Sequence, residues 1–125
     1  MRKQYHFWPS ERGLQAWDVD RLIALSRDLP RERVALSAIK ELDEVYWFDD
    51  DYQRPTCRAV LMHLRLIEAA DLSHPIILAS GGRVMDGMHR VAKAALEGRT
   101  EIEAVRFEQD PAPDYVGRLP RDLPY

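Results

Sequence analysis

An excess of positive charge is missing from this chain, and so are cysteine pairs, long apolar runs and internal repeats. Each absence excludes something. With Cys57 as the lone cysteine, neither an internal disulfide nor a cysteine-built zinc site can form. No apolar run approaches the roughly 20 residues that cross a bilayer. Residues 1–9 are polar and aromatic and lack the apolar centre of a secretory signal. The expectation is therefore a cytoplasmic protein with no membrane partner. A net charge of −3, from 18 basic and 21 acidic residues, argues against a surface that coats nucleic acid.

The charges present are uneven. Glu41, Asp43, Glu44, Asp49, Asp50 and Asp51 form an acidic stretch without a base, whereas Arg83, Arg90, Lys93, Arg99 and Arg106 mark a more basic one. A local cationic site within an acidic protein is compatible with this pattern. At 125 residues, 46% of them hydrophobic, the simplest organisation is one domain. It divides into an irregular arm over residues 1–16, a core over 17–109 and a proline-rich, loosely packed tail over 110–125.

Periodicity supplies the elements. Residues 17–29 read as a helix capped by Asp18, with Leu22, Ile23, Leu25 and Leu29 apolar and Pro30 as its stop. Residues 34–39 read as a short strand. Residues 45–55, with Tyr46, Trp47, Phe48, three aspartates and Arg54-Pro55, have loop composition; they form a binding segment or a solvated connector. Thr56 caps a second helix to about Ala70 on a Val60, Leu61, Leu64, Ile67 stripe. His63 and Arg65 fall outside that stripe and are expected in solvent, and Cys57 is expected to be buried. Pro75 leads an apolar strand, Ser80-Gly81-Gly82-Arg83 makes a hairpin turn, and Val84-Met85 returns. The helix after Gly87 ends at Gly98, and residues 101–107 form the last strand. The predicted order is α-β-α-β-β-α-β, an α/β (α+β) fold with a small mixed sheet of about four strands.

The segment Asp86-Gly87-Met88-His89-Arg90 carries the chemistry. A glycine between a strand and a helix exposes backbone N–H groups, and the helix start adds partial positive charge, which suits a phosphate. His89 and Arg90 add a side-chain donor and a fixed cation. Asp86 has three compatible roles: capping the helix, orienting His89, or binding magnesium at the phosphates. The bland alternative is a tight turn with solvated polar side chains.

The element order and this motif together resemble the ParB/sulfiredoxin-like family over about residues 34–107. Pro75-Ile76-Ile77-Leu78 resembles the family's Pro-Ile strand, and residues 86–90 resemble its Asp-Gly-x-His-Arg signature. The resemblance implies phosphate contacts from Gly87, Met88, His89 and Arg90, with ATP/ADP or CTP and magnesium as the implied cofactors. Met88 stands where a sulfiredoxin needs its nucleophilic cysteine, and methionine forms no thiolate. Only residues 108–125 follow the last predicted strand, which leaves no room for the helix-turn-helix of a partition protein.

Three readings remain open. The first is a nucleotide or phosphorylated-ligand site, with phosphoryl transfer of a small-molecule-kinase or NTPase kind as its chemistry. There Asp86 and His89 would act with a general base drawn from Glu41, Asp43 or Glu44, and Arg54 would reach a phosphate from the opposite side. The second is a non-catalytic ligand-sensing or protein-interaction module, with a homodimer as one possibility. The third, a DNA-acting nuclease-like protein, is disfavoured by the acidic balance. Whether the chain is an enzyme stays undecided at this point, no metal ligands are assigned, and the Asp49-Asp50-Asp51 run is read as solvated loop.

Overall fold

A computed structural model describes residues 3–125. The chain begins with an antiparallel hairpin of β1 (Tyr5–Ser10) and β2 (Gly13–Asp18). Gly13, at φ +108°, turns it. Helix α1 (Val19–Ser26) follows directly, with the Asp18 carboxylate accepting from Asp20 N–H at 2.9 Å as its N-cap. Next come β3 (Glu32–Ala35), single 3₁₀ turns at Leu36–Ala38 and Lys40–Asp43, and then α2 (Cys57–Ala69). Strands β4 (Ile76–Leu78) and β5 (Val84–Asp86), helix α3 (Met88–Leu96), β6 (Glu101–Arg106) and β7 (Tyr115–Val116) complete the order.

Two sheets result, of order β1-β2-β7 and β3-β6-β4-β5. In the second, β4 and β6 run parallel and the other pairs are antiparallel. Strand β4 and the start of β5 are apolar on both sides because both sides are covered there, whereas the edge strand β3 is largely exposed. Ile76, Leu78, Val84, Ile102 and Ala104 pack with Met88, Val91 and Ala94 of α3. Ile77, Met85 and Val105, offset by one position, pack with Trp17, Leu22 and Phe107 on the opposite face. The period-2 alternation of a strand thus divides one short sheet between two cores. Among the described residues no helix is long and apolar enough to cross a membrane.

Several expectations need correction. In the arm expected over residues 1–16, the described residues form a strand hairpin from Tyr5 onward, and Trp17 lies in β2 rather than in a helix; residues 1–2 lie outside the described residues. Side chains at both alternating faces of β1 are aromatic, so alternation is invisible in the sequence. The strand predicted at 34–39 lies at Glu32–Ala35, with its apolar residues wound into 3₁₀ turns. The proline-rich tail is packed. Strand β7 pairs with β2, Trp17 Nε1 donates to the Pro111 carbonyl at 2.8 Å, and Leu123 is 5% exposed. Prolines cannot continue a ladder, but their carbonyls still accept. Cys57 is exposed, not buried. The α2 stripe is turned differently: Val60, Leu61 and Leu64 are exposed, while Ala59, His63 and Ile67 face inward. Arg65 is exposed as expected.

Candidate functional site

The β5–α3 turn is built around a residue that must be glycine. Gly87 has φ +108°, ψ 22°, and a Cβ there would stand 2.7 Å from Ile76 Cγ2. Only a residue without Cβ adopts that backbone so close to β4. Gly87 is also the N-cap of α3, and no side chain caps the helix. The first-turn N–H groups at Met88, His89 and Arg90 have no intrahelical acceptor, because a helix start supplies none. They point along the positive end of the helix dipole.

The side chains around the turn are disposed less simply than the sequence suggests. Met88 is buried in the core. Arg90 donates to the carbonyls of Pro75 (2.5 Å) and His74 (3.2 Å) and pairs with Asp86 Oδ2 at 2.9 Å. Its guanidinium therefore braces the strand entering β4 against the end of β5. Asp86 is spent on that ion pair and does not cap α3, which corrects the capping expectation.

His89 meets a partner from α2. His63 Nδ1 and His89 Nε2 are hydrogen-bonded at 2.9 Å. The Trp47 indole stacks on both rings, with centroids at 4.6 Å from His63 and 4.7 Å from His89 and interplanar angles of 18° and 11°. Phe48 meets His63 edge-on at 5.4 Å. Burial pushes the His89 pKa down to about 4, with the neighbouring His63 adding to it, and burial lowers His63 too. Both imidazoles are neutral near pH 7, so one ring donates and the other accepts. His63 was expected in solvent; its spacing of four from Ala59 and from Ile67 is the signal for an inward face.

A second polar group lies beside this one. Glu41 is only 2% exposed; its Oε2 accepts from Val84 N–H at 2.7 Å and lies 3.4 Å from Arg83 Nε. Arg83 forks onto Glu44 at 2.7 and 3.0 Å and sits 4.8 Å from the Trp8 ring centroid. That fork holds Glu44 below the usual carboxylate range. Burial pushes the Tyr46 hydroxyl up to about 12, with Glu41 and Asp86 reinforcing the shift and Arg83 opposing it. Tyr46 thus lies within the fields of both the Glu41–Arg83 pair and Asp86, linking the loop before α2 to the turn. Arg83, Trp8 and His63 are the members that sequence reasoning missed; Trp47 lies in the 45–55 segment read there as a binding segment or a solvated connector.

The remaining candidates stand apart. Asp43 and Arg54 are exposed, with no hydrogen bond to the turn. Asp49 accepts from the backbone N–H groups of Asp51, Tyr52 and Gln53 at 2.6–2.8 Å, an Asx-type turn that occupies its carboxylate. No group of three or more His, Cys, Asp or Glu able to hold a metal ion occurs among the described residues. With Asp86 paired to Arg90, the residues present do not form a cation cage for magnesium. No family model matches the chain, and neither does a curated protein or a solved structure.

Proposed function

We propose that this is a ParB/sulfiredoxin-like domain that binds a nucleotide or a phosphorylated small molecule at the β5–α3 turn. The observation that carries this reading is the uncapped start of α3 at Gly87, held against Ile76 by a conformation that only glycine tolerates. A phosphate would accept from the amides of Met88 and His89 and gain the helix-end field. The order of β3, α2, the Pro75-led β4, the hairpin, the turn and α3 supports the family resemblance. His89 Nε2 is taken by His63, which leaves Nδ1 as its ring nitrogen for a ligand. A phosphate there selects the tautomer with Nδ1–H donating and Nε2 accepting from His63. Arg90, committed to Asp86 and two carbonyls, shapes the turn and does not contact the ligand.

Binding without turnover is the reading favoured over phosphoryl transfer. A general base must be able to take a proton from substrate, yet Glu41 is engaged by Val84 and Arg83 and Glu44 by Arg83. A panel of ATP, ADP, CTP and inorganic phosphate, with and without magnesium, tests the proposal by thermal shift. A ligand selective for the native state raises apparent stability, by about 2.7 kcal/mol at a hundredfold excess over Kd. Stabilisation by a nucleotide that falls sharply in His89→Ala supports the site; no stabilisation by any member of the panel refutes it.

A further inference from the structure

Helix α2 carries its apolar side chains on the wrong side for a lone domain. It turns Ala59, His63 and Ile67 towards its own body, whereas Val60, Leu61, Met62, Leu64 and Leu66 are each at least 40% exposed. A surface helix ordinarily does the reverse. Neighbouring exposed apolar side chains rimmed by charge mark a contact surface.

The spacing and the charges say what fits there. Cys57, Leu61, Leu64 and Glu68 follow one another at intervals of four, three and four, the seam along which one helix packs on another. Val60 and Ile67 border that seam on one side, Arg58 and Arg65 on the other. A second copy laid antiparallel, its two-fold axis between Leu61 and Leu64, sets Leu61 against Leu64 twice. The same arrangement brings Arg58 of each copy beside Glu68 of the other. Glu68 is the one carboxylate of the helix, and neither it nor Arg58 forms an ion pair within the chain. A parallel pair sets like charges together at both positions, which is repulsive.

We propose that this face of α2 pairs antiparallel with the same face of a second copy of the chain. The contact is one helix of 13 residues, about 20 Å long. It covers on the order of a few hundred Å² per copy, against about 800 Å² in a standard interface. The dimer is accordingly transient, with a Kd on the order of 100 μM. His63, which meets His89, lies on the other side of the helix, so the pairing stands apart from the nucleotide reading.

Sedimentation equilibrium of the full chain from about 10 μM to 1 mM tests it. Association should rise over that range and weaken about tenfold or more in Leu61→Arg, an exposed change that leaves the circular dichroism of the chain unaltered. Arg58→Glu and Glu68→Arg should each weaken it severalfold, and the double swap should restore it. Under diamide, Glu68→Cys should cross-link to Cys57 of the second copy. The parent should not, because antiparallel pairing keeps its two Cys57 residues about 16 Å apart along the axis. A monomer at 1 mM, association indifferent to Leu61→Arg, no rescue by the double swap, or a cross-linked parent overturns the proposal. A monomer that instead binds phosphatidylglycerol vesicles through Leu61 assigns the face to a lipid surface and overturns it too.

Discussion

His63 on α2 and His89 on α3, 26 positions apart, share a 2.9 Å hydrogen bond under the indole of Trp47. That contact fastens the outer helix and the loop before it to the element that begins at the β5–α3 turn. Helix α2 has no fully buried residue; besides its half-buried Ala59 and Ile67, it is held by this group and by Lys93, which donates to the Glu68 and Ala70 carbonyls at 3.0 and 2.7 Å.

The first prediction is a pH dependence. His89 and His6 each have a folded pKa lowered to about 4 from an ordinary 6.5. Burial is the larger cause in both, with His63 acting on His89 and Arg83 on His6. The unfolded chain therefore binds more protons between about pH 4 and 6.5, and stability falls as pH drops through that window. Thermal unfolding between pH 7.5 and 5 should show a declining Tm, and His89→Gln should flatten part of the slope. A Tm independent of pH over that range contradicts the neutral imidazole pair.

The glycines give a paired prediction. Gly87→Ala forces a side chain into a φ of +108° and against Ile76 at 2.7 Å, and should cost about 2 kcal/mol or more. Gly81→Ala meets nothing within 4 Å and should change stability by about 0.5 kcal/mol at most, of either sign. Denaturant melts of the two variants decide it.

Glu41 and Glu44 both face Arg83, yet their removal should differ. Glu41→Ala leaves the buried Val84 N–H without its acceptor and removes the 3.4 Å ion pair to Arg83, a loss of about 3 kcal/mol. Glu44→Ala removes a partly exposed partner and should cost about 1 kcal/mol or less. Similar losses in chemical denaturation would mean that Glu41 is not the buried centre of the group.

How far the sequence revealed this molecule depended on whether a signal was local. The turn at Gly87, the caps Asp18 and Thr56, the Gly81-Gly82 hairpin and the Gly98 terminus are set by backbone chemistry within a few residues, and all were legible. The inward turn of His63 was not, because exposed Val60, Leu61 and Leu64 imitate a core stripe. The Arg90–Asp86 pair is local, four positions apart across the turn, and a salt bridge from Arg90 to Asp86 or Glu41 was a legible alternative; the pairing of Arg83 with Glu41 and Glu44 is tertiary, and there sequence names the charges but not their partners. The tail was misread because its order comes from distant acceptors and donors, such as Trp17 reaching Pro111.

That tail supplies the fourth prediction. Leu123 is 5% exposed near the end of the chain, and Leu123→Ala should destabilise by about 2–3 kcal/mol, as other large-to-small core changes do. A neutral effect in a thermal melt would show the tail to be dispensable.

The most direct test of the ligand site is a backbone amide NMR titration of the full chain with ATP, ADP or CTP. The account predicts saturable shifts centred on Met88 and His89, with a smaller response at His63 and Trp47. No saturable shift at millimolar nucleotide, or shifts confined to residues away from the β5–α3 turn, would contradict it.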